Sequence, residues 1–222
     1  MKHFTWVTHT YSDKDPSKMI AKEGKHFYQN PQGIEYPSVT GMISKTSDKT
    51  GLEIWKKNIG EQVANHIFKE SGKLGTLVHE AAESYLRNDL SIGKGLLLNG
   101  HFNQLKPLLE KIDNIRACEI GLYSDNMKLG GTSDCIAEHQ GVLSIIDFKT
   151  SRKRKYKSME QLQGYFIQAT CYALMWEELT QERIERIVVM ISTEDGYIQE
   201  YIENPSNYTE ALHSRITKFN KK

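Results

Sequence analysis

Two carboxylates and one ammonium carry the most chemical promise in this chain: Asp134, Asp147 and Lys149. The segment Val142-Leu143-Ser144-Ile145-Ile146-Asp147-Phe148-Lys149 is apolar until its end. There a carboxylate and an ammonium stand two residues apart, so a strand puts both on one face. Gln140-Gly141 reads as a two-residue hairpin loop, which pairs His139 with Val142. Continuing that register sets Asp134 opposite Asp147, with Cβ atoms about 4.5–5.5 Å apart. A longer loop would shift the pairing. Two like charges so placed repel unless a cation sits between them, and Mg2+ or Mn2+ suits carboxylate oxygens.

An isolated Asp-x-Lys is far more often an exposed ion pair. Three neighbouring features favour a site. Gly130-Gly131 permits close approach to the backbone ahead of Asp134. The apolar run before Asp147 suggests a buried strand. From Lys149 to Lys157 six basic residues (Lys149, Arg152, Lys153, Arg154, Lys155, Lys157) occur with no acidic one, which would set phosphate-binding groups beside a cation.

Elements must hold these residues in place. Residues 1–36 carry scattered aromatics and turn formers and read as an irregular or β-hairpin lead-in. Ser38 or Thr40 can cap a short helix after Pro37. Trp55, Ile59, Val63 and Ile67 recur at steps of four, predicting an amphipathic helix over 52–70 with Trp55 in the core. Ser71-Gly72 is expected to break it, and a second helix to cover 73–87. A glycine-rich loop is expected over 89–100 and a helix over 101–113, its start before Pro107 less defined. The period then changes to strands at 117–124, 129–139 and 142–149. A helix over 159–179 follows, then strands at 186–193 and 197–203, and a helix from Pro205 to Phe219. This order predicts an α/β fold, a central mixed sheet flanked by helices with an N-terminal helical elaboration. The expected division is a lead-in over 1–36 and one domain over 37–222, helical over 37–113 and sheet-centred over 114–222.

Composition narrows the class. At 222 residues, 38% hydrophobic and 26% charged, this is an ordinary globular chain, long enough for one cored domain. No run approaches the roughly 18 apolar residues of a membrane span. Residues 1–15 lack the apolar core of a secretory signal, so a cytoplasmic protein is the default expectation, with a phage-encoded one acting in a host cytoplasm also compatible. The net charge of +1 does not decide for or against nucleic acid. Cys118, Cys135 and Cys171 fit no zinc or iron–sulfur spacing and read as buried thiols.

Four motifs in order carry a family resemblance. Gly131-Thr132-Ser133-Asp134 followed by Ile145-Ile146-Asp147-Phe148-Lys149-Thr150 resembles the core of the PD-(D/E)XK nuclease superfamily, glycine-containing sequence replacing its proline. Gly75-Thr76-Leu77-Val78-His79-Glu80 resembles the helical histidine motif of its RecB-like branch, and Gln168-Ala169-Thr170-Cys171-Tyr172 its Gln-x-x-x-Tyr motif. With Pro37-Ser38-Val39-Thr40, the span 36–203 resembles the mitochondrial genome maintenance exonuclease group.

That resemblance implies a restriction-endonuclease-like core and metal-dependent hydrolysis of phosphodiester bonds. His79, through a neutral imidazole, Asp134, Asp147 and the Phe148 carbonyl would hold one or two Mg2+ or Mn2+ ions. Lys149 would orient the attacking water and stabilise transition-state charge, with Glu119 a further acidic candidate. Gln168 and Tyr172, four apart on one helix face, would support the site and contact DNA. Thr150, Ser151, Arg152 and Lys153 would hold backbone phosphates, and Lys56 and Lys57 would line a passage for the strand. No iron–sulfur cluster is expected. No Gly-x-x-x-x-Gly-Lys-Ser/Thr motif occurs, so no ATP-driven unwinding is expected and single-stranded DNA ends become the favoured substrate. The alternatives are a structure-specific endonuclease of the same superfamily and a catalytically silent nucleic-acid-binding module.

Overall fold

A computed structural model describes residues 2–11, 15–89, 95–156 and 159–221. A small antiparallel sheet comes first: β1 (Lys18–Lys22), β2 (Lys25–Gln29) and β3 (Glu35–Pro37), in the order β1-β2-β3. Helices α1 (Val39–Thr46), α2 (Thr50–Ile59), α3 (Glu61–Leu86) and α4 (Leu96–Leu109) follow. The main sheet comprises β4 (Ile112–Ser124), β5 (Leu129–His139), β6 (Val142–Ser151), β7 (Arg186–Thr193) and β8 (Ile198–Glu203). Its order is β4-β5-β6-β7-β8, antiparallel except for the parallel β6–β7 pair. Helix α5 (Glu160–Thr180) connects that pair, and α6 (Thr209–Asn220) closes the chain. This is the expected mixed sheet with helices on both faces.

The sheet's two faces bury separate cores. On one, Ala117, Ile136, Ile145 and Val189 pack against Leu162, Phe166 and Trp176 of α5 and Val39 and Met42 of α1. On the other, Cys135, Ala137, Ile146 and Phe148 meet Val78 and Ala82 of α3 and Leu105 and Leu109 of α4. Burial on both faces explains why β6 reads as a continuous apolar run. All three cysteines are buried, as their composition suggested.

Several local expectations give way. Ser71-Gly72 does not break a helix; α3 runs through it, and the break falls at Gly60, whose φ is +87°. A mid-helix glycine costs only about 1 kcal/mol, which the docking of the C-terminal part of α3, where Val78, Ala81, Ala82, Tyr85 and Leu86 are buried, outweighs. Helix α4 starts at Leu96, inside the expected loop, and continues through Pro107. Trp55 is not core. Helix α2 buries no residue, and Trp55 lies half-buried with its ring edge-on to Phe68, centroids 5.5 Å apart. A periodic apolar stripe requires a partner surface, and α2 packs chiefly on α3.

The lead-in is tied to the rest. Phe4 is buried with the α3–α4 core, Trp6 Nε1 donates to the Leu86 carbonyl (3.0 Å), and β3 continues across residue 36 to Pro37. Ser38 caps α1, its Oγ accepting the Gly41 N–H at 3.0 Å.

Candidate active site

Chemistry gathers where the β4–β5–β6 ladders separate. The loop Gln140-Gly141 has φ of +52° and +78°, the two left-handed residues of a tight hairpin, and His139 pairs with Val142. The register therefore runs as the sequence implies, to Cys135↔Ile146. It stops one step before Asp134 and Asp147. Instead of continuing the backbone ladder, Asp134 turns its carboxylate toward β6, and Oδ2 accepts the Phe148 N–H at 2.7 Å. The side chain takes the place of a strand carbonyl and wedges the strands apart.

The same level of β4 is irregular too. Cys118 pairs with Cys135 and Ile120 with Ser133, so the register sets Glu119 opposite Asp134 at the one step between them that is unpaired. Its φ is +51°, uncommon for a residue with a Cβ. Ala117 and Ile120 consequently reach the same core, which strict alternation forbids. The crease swings Glu119 toward Asp134 and His79. Backbone strain of this kind costs about 1–3 kcal/mol and collects at functional sites.

Helix α3 brings His79 from the opposite side. Nε2 lies 2.8 Å from the Phe148 carbonyl oxygen. Nδ1 lies 3.4 Å from Glu119 Oε1 and 3.6 Å from Asp134 Oδ2. One ligand atom each from His79, Glu119 and Asp134 all fall within 4.8 Å of one another. Burial presses the imidazole toward neutrality, but Asp134 and Glu119 outweigh it and raise its pKa from 6.5 to about 9. The two carboxylates thus favour the protonated ring when no ion is bound.

Alternation along β6 directs the remaining groups. Asp147 and Lys149 face α5, while Ile146 and Phe148 face α3. Lys149 Nζ is 2.5 Å from Asp147 Oδ2 and 5.1 Å from the Tyr165 ring centroid. Burial alone would discharge this ammonium, but the Asp147 and Asp134 carboxylates hold it charged. Burial pushes the Asp147 carboxyl upward, with Lys149 opposing it. Gln168 Nε2 sits 3.3 Å from both Asp147 Oδ1 and Tyr172 Oη. Asp147 Oδ2 is buried and, apart from the ion pair, lacks an aligned hydrogen bond.

The convergent imidazole and carboxylates of His79, Glu119 and Asp134 fit a hard divalent ion. Asp147 is directed to Lys149 and Gln168, and the Phe148 carbonyl to His79, while Glu119 stands with Asp134. Glu119 carried no period-2 signal, because a crease rather than a regular strand positions it. Tyr172 is 2% exposed, so it braces the site and has no free face for nucleic acid. Its ring fills the space over Gly131, where a Cβ would lie 2.5 Å from Cε1. The close approach the glycines allow is thus made by side chains.

Among the basic residues, Arg152 Nε is 3.7 Å from Glu194 Oε2, and Arg154 stacks on Tyr197 at 3.3 Å. Ser151 Oγ donates to the Lys153 carbonyl at 2.7 Å, which leaves the exposed Lys153 side chain on a fixed turn. Thr150 faces Gly75 of α3. Lys157 lies outside the described residues. Lys56 Nζ is 5.2 Å from the Phe68 ring centroid. A cavity of about 480 Å³ adjoins Tyr165 and Gln168 and is also lined by Lys49, Leu52 and Phe68.

The family model described as PD-(D/E)XK nuclease superfamily matches residues 101–218, more than half of the 222. Mitochondrial genome maintenance exonuclease 1 of Homo sapiens is 33% identical over 129 residues, covering 54% of this chain and 38% of the human protein. The Mus musculus protein of that name is 30% identical over 128 residues, with the same coverage of 54% and 38%. The match therefore spans well under half the length of these curated relatives. Among solved structures, SSO0001 aligns with 18% identity and a TM-score of 0.42, covering 81% of this chain and 74% of its own. A Eubacterium rectale protein aligns with 15% identity and a TM-score of 0.45, covering 67% and 65%.

Proposed function

The chain belongs to the PD-(D/E)XK nuclease superfamily, and from that we propose a metal-dependent deoxyribonuclease that degrades single-stranded DNA from its ends with Mg2+ or Mn2+. One observation carries the metal dependence: His79, Glu119 and Asp134 converge within 4.8 Å beside the Lys149–Asp147 pair. These three residues, joined by Asp147, would hold the ion. A bound divalent ion supplies a water of lowered pKa and neutralises phosphate charge.

The chain's own groups do the rest. A lysine kept charged cannot take a proton from water at neutral pH. Lys149 therefore donates hydrogen bonds to the attacking oxygen or a non-bridging phosphate oxygen, where charge develops. Gln168 fixes Asp147 by Oδ1, so Oδ2 is presented to Lys149 and to the reacting oxygen. Phe148 N–H holds Asp134 rigid through Oδ2. Arg152 and Lys153 lie beyond the strand end, placed to contact backbone phosphates without reading sequence.

Single-strand preference draws on the cavity beside Gln168 and the solvent-facing Trp55–Phe68 pair, which suit unstacked bases. The exonuclease mode draws on the human and mouse relatives, both of them named as exonucleases.

The test uses end-labelled linear single strands, duplexes and circular single strands, incubated with Mn2+ or with chelator. Metal-dependent loss of linear strands, with circles intact, is expected. Lys149→Ala and Glu119→Gln should each lower the rate by about 10²–10³-fold. Cut circles would replace the exonuclease reading with an endonuclease. DNA binding without any cleavage by the wild type would leave a silent binding module.

A further inference from the structure

The hairpin that carries Glu119 and Asp134 is supported unevenly along its length. Strand β6 pairs with β5 only as far as Cys135. Beyond it, Ile120–Ser124 and Leu129–Ser133 form a two-stranded arm with no β6 beside it. A two-stranded ribbon twists strongly and is marginally stable alone. Left free, that twist would move both carboxylates, because they lie at the root of the arm.

The N-terminal sheet embraces this arm. Ser17 N–H donates to the Gly121 carbonyl (3.1 Å) and Ser17 Oγ to the Leu122 carbonyl (3.1 Å). The Tyr36 ring stacks on Tyr123, and its hydroxyl bonds Asp125. Ser38 bridges to Gly130. Tyr28 of β2 reaches nearest the site. It packs so tightly on Gly130 that a Cβ there would stand 2.3 Å from the tyrosine Cβ. Its hydroxyl is 3.0 Å from Thr132 Oγ1, two residues before Asp134, and it sits within the field of Glu119. Tyr28 is 5% exposed. Gly130 and Gly131 are consecutive, and Tyr28 covers the first while Tyr172 covers the second. The approach to Asp134 is gripped by one tyrosine from each of two separate elements.

We propose that Tyr28 is a positioning residue for the Glu119–Asp134 pair, and that the N-terminal three-stranded sheet is a working part of the active site. The family match begins at residue 101, downstream of this sheet. A packing role needs only the ring. A positioning role needs the hydroxyl as well, because the bond to Thr132 sets where the strand stands relative to Glu119. The inference rests on the reading of Glu119 and Asp134 as metal ligands.

The test is Mn2+ binding by the full chain without DNA, followed by electron paramagnetic resonance, for wild type, Tyr28→Phe, Thr132→Val and the double variant. Tyr28→Phe keeps the ring on Gly130 and removes only the bond. Each single variant should bind Mn2+ about 10-fold more weakly, the effect typical of losing a group that orients a ligand. The double variant should bind no more weakly than Tyr28→Phe, since that change already removes every bond between the phenol and Thr132. In cleavage assays at saturating metal, kcat should fall while KM for DNA stays unchanged. Wild-type Mn2+ affinity in both single variants would overturn the positioning role and leave the ligand reading intact. Failure of the wild type to bind Mn2+ would overturn both.

Discussion

His79 shows how the site's residues depend on one another. Its imidazole is buried, which favours the neutral form, yet Asp134 and Glu119 raise its pKa to about 9. A folded-state pKa above the unfolded value stabilises the fold fully below about 6.5, and that contribution is lost as pH rises through about 9. The ion-free protein should therefore lose stability across this interval, read as a falling denaturation midpoint in the presence of chelator. Mn2+ affinity should rise over the same interval, because the ion must displace that proton. A midpoint that climbs with pH would show the ring to be neutral without metal. Glu119 makes a related point by conformation. Its left-handed backbone is unfavourable locally and is retained at the position that completes a ligand cluster.

At the level of elements, β5 is the strand whose placement matters most. It carries Asp134, and its glycine pair lets two tyrosines grip it. Gly131→Ala would force a Cβ to within 2.5 Å of Tyr172 Cε1. Overpacking of this kind costs about 1–3 kcal/mol, and here it should also shift Gln168 and Asp147, which hang from Tyr172. The Tyr172→Leu background should absorb part of that cost, so urea denaturation of the two singles and the double should give a non-additive cycle. Strict additivity would mean that the ring and the glycine do not constrain each other. Helix α5 acts on the same strands from the other direction, since its Tyr165, Gln168 and Tyr172 meet Lys149, Asp147 and Gly131.

Across the whole molecule, the sheet and its helices form a closed core, while α2 and the first half of α3 stand outside it. Leu52, Ile54, Val63 and Phe68 are all more than 40% exposed there. Of these, Leu52 and Phe68 line the cavity that leads toward Gln168. Trp55→Ala and Phe68→Ala should each weaken binding of a single strand by about 1–3 kcal/mol, the worth of one stacked base. Thermal stability should hardly change, because neither ring is buried in the main core. Fluorescence anisotropy with a labelled oligonucleotide measures the first quantity and calorimetry the second. A large stability loss with unchanged DNA affinity would assign the pair to folding.

The sequence by itself determined the sheet, its hairpin register and the family, and it singled out the candidate reactive groups. Strand periodicity, the Gln140-Gly141 turn and the positions of Asp134, Asp147 and Lys149 are local properties of the chain, and the motif order around His79 and Gln168 gave the family. Only the tertiary structure decided the rest. Whether Trp55 is buried depends on whether another surface covers α2, which no periodicity can report. The break at Gly60 rather than at Gly72 depends on how far α3 must reach to bring His79 to the sheet. Glu119 joins Asp134 through a crease that violates strand alternation, and Tyr28 meets Gly130 across about a hundred residues of chain. Both are long-range outcomes of packing, and local residue preferences do not contain them.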